Sequence, residues 1–102
     1  MNYLETLILK KENWIIGQLS YNLKIKSEIH MSHLIIDSKF QRKGLATKLI
    51  SEVEKIASNI KKKTIALNVL KSNHRAISLY KKLGFKLNRK KSYYLNYYKE
   101  VS

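Results

Sequence analysis

The sequence predicts a mixed α/β domain in which two helices pack on one sheet of six strands. Stretches with alternating or continuous apolar patterning are interleaved with two stretches of helical periodicity. The chain has no proline and only three glycines, so no linker or low-complexity tract divides its 102 residues. Hydrophobic residues make up 44% of it, enough for one small core. We therefore expect a single domain over residues 1–102.

The first part of the chain predicts three strands. Residues 4–11 alternate loosely and end at a polar turn, and residues 14–24 follow as the second arm of an antiparallel hairpin. Residues 28–37 form the third strand. Its run Leu34, Ile35, Ile36 predicts a central strand buried on both sides. An open sheet edge at residues 4–11 would invite pairing with a second copy, so a homodimer is one expectation.

The remaining elements are two helices and three strands. The longer helix, residues 44–60, carries an apolar stripe formed by Leu45, Leu49, Val53, Ile56 and Ile60. Residues 64–70 form a strand parallel to the third, because a strand–helix–strand connection crosses over. A short helix begins at Ser72 or Asn73 and closes at Gly84. Residues 85–87 and 93–101 complete the order β-β-β-α-β-α-β-β.

A basic turn lies between the third strand and the long helix. Residues 41–46 read Q-R-K-G-L-A, and they precede a helix start whose backbone N–H groups are unpaired. Gly44 removes a Cβ that would keep a ligand from the backbone. Arg42, Lys43 and Lys48 add positive charge. The stretch therefore predicts a site for a diphosphate.

Composition limits the remaining classes of function. With no cysteine, the chain has no disulfide framework and no thiol nucleophile, and its three histidines and seven acidic residues form no tight cluster that predicts a metal site. No apolar run is long enough to span a membrane, and the N-terminus lacks the pattern of a signal peptide, so a cytoplasmic protein is expected. The net charge of +14 favours polyanionic partners, although the lysines are spread over both halves, which weakens a nucleic-acid face.

Two motifs together carry a family resemblance. Residues 41–46 fit the pattern Q/R-x-x-G-x-G/A, and residues 73–85 fit N-x-x-A-I-x-L-Y-x-x-L-G-F. In this order, separated by one strand, they resemble the GNAT superfamily of acetyl-CoA-dependent N-acetyltransferases over about residues 5–100. The C-terminal part resembles the branch that acetylates protein N-termini. The family's usual first strand and two helices are not seen before residue 4, so a minimal member is expected.

The resemblance implies a set of residues that bind acetyl-CoA. Backbone amides of the basic turn would hold the pyrophosphate, and a bulged third strand would bind the pantetheine arm and the carbonyl oxygen. Asn73 would contact the same arm, with a purely structural helix cap as the alternative. The implied cofactor residues are Leu34, Ile35, Ile36, Gln41, Arg42, Lys43, Gly44, Leu45, Ala46, Thr47 and Asn73.

The resemblance also implies catalytic and acceptor residues. Tyr80 would protonate the leaving thiolate, with a core tyrosine as the alternative. Asn68 stands where relatives often place a glutamate or histidine base and cannot take a proton, so His30 is the first candidate base. His33 is the second candidate base. Strand alternation places it on the opposite face from His30, so it suits the site only if a bulge lies between them. A water chain is a third route for the proton. Tyr93 and Tyr94 would line the acceptor mouth or serve as edge-strand aromatics.

These inferences predict transfer of an acetyl group from acetyl-CoA to a primary amine, with a protein N-terminus as one candidate acceptor. The positive charge argues against strongly basic acceptors. Two alternatives stay open: a catalytically silent CoA-binding module, and a basic protein that binds nucleic acid or an acidic partner.

Overall fold

The computed structural model describes residues 3–101, which form six strands and two α-helices. A short 3-10 turn, Ser38–Phe40, precedes the first helix. The elements in chain order are β1 Leu4–Lys11, β2 Trp14–Asn22, β3 Glu28–Ile36, α1 Leu45–Asn59, β4 Thr64–Leu70, α2 His74–Lys82, β5 Lys86–Lys90 and β6 Tyr94–Glu100. The predicted mixed α/β class and element order are confirmed.

The six strands form one mixed sheet in the order β1-β2-β3-β4-β6-β5. The β3–β4 pair is parallel and the other pairs are antiparallel, as expected for a crossover through α1. Strand β2 ends two residues earlier than predicted, where the Asn22 side chain accepts a hydrogen bond from the backbone of Lys24 (2.8 Å). Strand β5 begins one residue later and extends to Lys90, because Phe85 turns into the core.

Both helices pack against the same face of the sheet. The buried cluster contains α1 and α2 side chains together with side chains of β2, β3, β4 and β6. Tyr80 of α2 contacts Phe85 edge-to-face, with ring centroids 5.8 Å apart. The main members of the core are Leu19, Tyr21, Ile29, Met31, Leu49, Ile50, Val53, Ala57, Ile65, Leu67, Val69, Tyr80, Phe85 and Tyr97.

The apolar stripe of α1 differs from the predicted one. Ile50 and Ala57 are buried beside Leu49 and Val53, whereas Ile60 is 46% exposed. Ile60 caps the helix rather than continuing it, since Lys61 adopts a positive φ of 60° and ends the α-helical geometry. Positions 49, 50, 53 and 57 therefore form the face that meets the sheet, with the 3.6-residue period of a helix.

No helix of the described chain covers the opposite face of the sheet, which we call the open face. Alternation along the strands places mainly polar side chains there, among them Ser20, Ser32 and Asn68. Ile35 also lies on this side and is 55% exposed. The prediction that the run Leu34, Ile35 and Ile36 is buried on both sides is therefore wrong, because the helices cover only one face: Ile35 is exposed, and Leu34 and Ile36 are partly buried.

Candidate active site

Strands β3 and β4 separate after a short parallel ladder. Residues 28–31 pair with residues 64–67, and the rest of the two strands is not paired. Strand β3 bulges at this point. Its pairing with β2 advances from Ser32 to Ile35 while β2 moves only from Ser20 to Gln18. His33 lies in the bulge with a φ of 53°. The bulge and splayed strands implied by the family resemblance are therefore present.

The separation leaves backbone groups on both sides of a gap. Residues 32–36 of β3 and 68–70 of β4 do not satisfy each other's N–H and C=O groups across it. Such groups must find partners in water or in a ligand. The gap can therefore bind an extended, amide-containing arm along its length.

Two cavities meet at this gap and share Leu34 and Asn73. The first, of about 400 Å³, lies at the head of α1, and the second, of about 550 Å³, lies between the separated strands. The first is lined by Leu34, Ile36, Phe40, Gln41, Arg42, Gly44, Leu45, Ala46, Thr47, Asn73, Arg75 and Leu79. The second is lined by Leu19, Met31, Ser32, His33, Leu34, Leu67, Asn68, Val69, Leu70, Asn73 and Tyr80.

The head of α1 presents a row of free backbone donors. Gly44 is the N-cap, with a φ of 78°, and no side chain caps the helix. The first helical hydrogen bond runs from the N–H of Lys48 to the carbonyl of Gly44 (3.0 Å). Within residues 3–101, the backbone N–H groups of residues 44–47 donate no hydrogen bond. These four donors at the positive end of a helix dipole suit a phosphate group.

Cations surround these donors without acidic partners. In the part of the chain that the structure describes, Arg42, Lys43, Lys48 and Arg75 form no ion pair. Arg75 instead donates to the side-chain oxygen of Gln41 (3.0 Å), whose amide nitrogen donates to the carbonyl of Ile36 (3.1 Å). Gln41 therefore connects the end of β3 to the start of α2 and fixes the turn between them.

Most of the predicted cofactor residues lie together at the first cavity. Two do not. The exposed Ile35 lies outside both cavities, and Lys43 has its ammonium group 5.4 Å from the centre of the Phe40 ring. Sequence reasoning missed Phe40 and Leu79, which also line the first cavity. The apolar Phe40 directly before the basic turn was a usable signal, because an aromatic beside a helix start forms a wall of the site.

Asn73 caps a helix and also lines both cavities. Its side-chain oxygen accepts a hydrogen bond from the backbone of Ala76 (3.3 Å), which makes it the N-cap of α2. The same residue lines both cavities at their junction. The capping bond holds the amide in place beside the gap, so the structural role and contact with a ligand are compatible.

Tyr80 lines the second cavity. It is 8% exposed and belongs to the core, as the alternative of a core tyrosine predicted. Because it also lines the cavity, its place in the core is compatible with a role in the site. Its hydroxyl forms no hydrogen bond with any described residue. Burial raises the pKa of Tyr80 above its ordinary value. The phenol is therefore neutral at physiological pH and holds a proton that it can donate.

The two strand histidines face different surroundings. His33 lines the second cavity with Tyr80, and its Nδ1 lies 3.1 Å from the Ser32 hydroxyl. His30 is half-buried on the open face, in register with Ala66, and lines neither cavity. The bulge changes the parity between the two positions, which is the condition under which His33 was expected to reach the site.

The paired tyrosines lie at the start of β6. Tyr93 is 81% exposed, and neither Tyr93 nor Tyr94 lines a cavity. Tyr94 is in register with Leu70, which does line the second cavity. Tyr94 therefore lies next to the cavity wall on the neighbouring strand.

The described residues include neither a cluster of metal ligands nor a membrane-spanning helix. No group of three or more histidine, aspartate or glutamate side chains there could hold a metal ion. None of the helices described has the length and apolar character needed to cross a membrane.

Comparisons with known proteins agree with this architecture. The PaiA N-acetyltransferase from Thermoplasma acidophilum, solved with coenzyme A, superposes with a TM-score of 0.90 at 22% identity, covering 95% of this chain and 60% of that one. The ribosomal-protein-S18-alanine N-acetyltransferase from Escherichia coli gives 0.87 at 21%, covering 98% and 70%. A GNAT family acetyltransferase from Elizabethkingia anophelis with acetyl-CoA bound gives 0.88 at 19%, covering 97% and 77%.

At these low identities the superpositions show a shared fold alone, and the chain spans less than two thirds of the first of these proteins. Family membership is shown by a match of the sequence to a family model. The model of the Acetyltransferase (GNAT) family matches residues 2–85, which is most of the chain. The match includes both motifs, the gap between β3 and β4, and the head of α1. The chain therefore belongs to the GNAT family of acetyltransferases.

Proposed function

We propose that the protein transfers an acetyl group from acetyl-CoA to a primary amine by direct attack in a ternary complex. The observation that carries this proposal is the group of unpartnered N–H donors at residues 44–47, beside a first cavity that adjoins the second cavity, which Tyr80 lines. Family membership supports the same reaction class. Two of the similar structures contain coenzyme A or acetyl-CoA.

In this proposal the first cavity holds the diphosphate of the cofactor. The free amides donate to its oxygens, and Arg42 and Arg75 balance its charge. A hydrogen bond to a charged group contributes about 1.5–3 kcal/mol, so a few of these donors suffice for firm binding. The pantetheine arm then follows the unpaired backbone between β3 and β4, beside Asn73. Its thioester reaches the second cavity, where Tyr80 lies.

The chemistry in the second cavity is acyl transfer. The neutral amine attacks the thioester carbon, and the carbonyl oxygen becomes negative in the tetrahedral intermediate. A backbone N–H of β3 near Leu34 and Ile35 stabilises that oxygen, a type of contact that contributes about 2.7–4 kcal/mol. The carbon–sulfur bond then breaks, and Tyr80 gives its proton to the departing thiolate. The proton that the attacking nitrogen loses restores the Tyr80 phenol, so the products are free CoA and the amide. One further proton is released when the amine starts as an ammonium ion.

The amine must lose its proton before or during the attack. His33 is the base that we propose, because it lines the same cavity as Tyr80, whereas His30 lies on the open face outside both cavities. A water chain from His33 to bulk solvent would also remove the proton, since an α-amine has a pKa near 8. His30 stays the prediction made from sequence, and paired substitutions separate the two.

A catalytically silent CoA-binding module is the second candidate. The absence of a carboxylate from the lining of either cavity favours it. Asn68, which cannot act as a base, lines the second cavity. Such a module would bind CoA through residues 41–47 as an enzyme does. Only turnover distinguishes the two candidates.

The test is release of free thiol from acetyl-CoA in the presence of candidate amines. Because the chain contains no cysteine, a thiol reagent reports CoA alone. The panel includes peptides with free N-termini, a lysine side-chain peptide blocked at its N-terminus, and small amines, with mass spectrometry to identify the acetylated product. Amine-dependent thiol release is expected. Tight CoA binding without transfer to any amine would favour the silent module.

The acceptor is the less determined half of the proposal. A protein N-terminus is our first candidate, supported by the structural likeness to an S18-alanine N-acetyltransferase. The net charge of +14 disfavours strongly basic peptides. A homodimer through the edge strand β1 and binding to nucleic acid stay predictions from the sequence. Sedimentation and salt-dependent gel shifts test them.

A further inference from the structure

Three asparagine side chains form a hydrogen-bonded chain across the open face beside the second cavity. Asn88 of β5 donates to the side-chain oxygen of Asn96 on β6 (3.0 Å). Asn96 donates to the side-chain oxygen of Asn68 on β4 (2.8 Å) and to the backbone carbonyl of Leu67 (3.2 Å). Asn68 is the inner end of this chain, and it alone of the three asparagines lines the cavity.

The orientation of each amide follows from one backbone group. The carbonyl of Leu67 can only accept, so the atom of Asn96 that contacts it must be the NH₂ nitrogen. The second hydrogen of that NH₂ then points to Asn68, which must present its oxygen in return. The remaining oxygen of Asn96 accepts from Asn88. All three amide orientations are thereby fixed without a choice.

The consequence is that Asn68 turns its NH₂ group away from Asn96. In the described chain neither hydrogen of that group has a partner. The cavity wall therefore carries two neutral donors where a base would be an acceptor. Since no carboxylate lines this cavity, the Asn68 donors suit a hydrogen-bond acceptor on the substrate.

We propose that Asn68 is a specificity residue that binds an oxygen on the acetyl acceptor. The substrates are then amines that carry a carbonyl or carboxylate oxygen close to the amino group, as an amino acid or a peptide N-terminus does. Asn96 is the positioning residue that aims the Asn68 donors into the cavity. This inference rests on the proposed acetyltransferase function, because it assigns the acceptor class of that same site.

The test compares two acceptors of the same branched skeleton. L-alaninamide carries a carboxamide where isopropylamine carries a methyl group, and kcat/KM is expressed per neutral amine to remove the difference in amine pKa. Alanine itself is the third acceptor and tests whether a carboxylate serves as well as a carbonyl. Thiol release measures turnover in each case. We expect the native protein to prefer both oxygen-bearing acceptors over isopropylamine.

Three variants locate the source of this preference. Asn68→Asp replaces the donors by acceptors at constant shape and should lower the ratio of alaninamide to isopropylamine by about three- to tenfold, the usual effect of one hydrogen bond. Asn96→Asp cannot donate, so the Asn68 amide reverses to donate to it and turns its oxygen to the cavity. The same loss of preference should follow, although residue 96 does not line the site. Asn88→Ala is the matched control and should leave the ratio unchanged.

A binding measurement gives a second readout. The Asn68 NH₂ cross-peak in an ¹⁵N correlation spectrum is identified by its absence in Asn68→Asp. With CoA bound, alaninamide should shift this cross-peak and isopropylamine should not. If the native protein acetylates both amines and Asn68→Asp leaves their ratio unchanged, the inference fails while the proposed function stands. If no amine is acetylated although CoA binds, the proposed function fails and the inference fails with it.

Discussion

Gly44 offers the sharpest separation of fold from cofactor binding. A Cβ built on this residue meets no atom of the protein within 4 Å, so Gly44→Ala introduces no steric conflict in the free chain. Its φ of 78° is the only structural cost. The added methyl group would, however, occupy the space in front of the free N–H donors, where we place the diphosphate. A loss of CoA affinity would then come from contact between the added methyl group and the bound diphosphate.

The expected magnitudes follow from these two effects. Holding alanine in left-handed geometry costs about 1–2 kcal/mol, which lowers Tm by roughly 4–8 °C per kcal/mol in a domain of this size. Loss of one hydrogen bond to a charged phosphate costs about 1.5–3 kcal/mol, which weakens CoA binding roughly 10- to 150-fold. Gly84 supplies a matched control, since it has a φ of 94°, lines neither cavity, and meets only the flexible end of Lys99 at 3.5 Å.

The assay is isothermal titration of CoA into the native protein, Gly44→Ala and Gly84→Ala, with Tm measured in parallel. We expect both variants to lose similar stability and only Gly44→Ala to lose CoA affinity. Equal affinities in the two variants would refute the placement of the diphosphate at the head of α1, because only Gly44 lies beside the free N–H donors there.

Four further predictions follow from the same geometry. Tyr80→Phe should lower kcat about a hundredfold or more at unchanged CoA affinity and nearly unchanged Tm, since the hydroxyl has no protein partner; an unchanged kcat would remove it as the acid. Burial raises the pKa of Tyr80 in the folded protein, so the same tyrosine ionises at a lower pH in the unfolded chain. The contribution of Tyr80 to stability is therefore complete below about pH 10 and declines above it. Denaturation curves at pH 9 and pH 11 should show a smaller loss of stability for Tyr80→Phe than for the native protein. His33→Ala should reduce kcat/KM at pH 7 more than His30→Ala and recover part of the loss at pH 9, where the amine is itself neutral, and the reverse ranking would favour His30 as the base. Lys62→Met should lower the free energy of unfolding by about 1–3 kcal/mol in urea titrations, against no change for Lys63→Met, because the Lys62 ammonium group donates to the carbonyls of Leu23, Ile25 and Lys26 at 2.8–3.2 Å.

The sequence predicted the parts of the fold that depend on local patterning. The head of α1 was located because Gly44 and the basic residues beside it form a recognisable motif within six consecutive positions. Asn73 was recognised as a cap for the same reason, since its hydrogen bond spans three residues. The order of strands followed from the two helical stretches and their crossover. In each case the interaction that decides the structure is short in sequence.

The features that the sequence did not decide concern relations between distant strands. Ile35 was expected to be buried because three apolar residues in a row usually belong to a central strand, yet its exposure depends on which face the helices cover. The choice between His30 and His33 depends on a bulge defined by the pairing of β3 with β2, and periodicity along β3 alone does not reveal it. The asparagine chain joins three strands, so its residues appear in the sequence as ordinary polar positions.

A crystal structure with CoA bound tests the central claim most directly. We expect diphosphate oxygens within about 3.2 Å of backbone nitrogens among residues 44–47, the pantetheine arm between β3 and β4, and the sulfur beside the Tyr80 hydroxyl. CoA bound elsewhere on the chain, or bound with its sulfur outside the second cavity, would contradict the account.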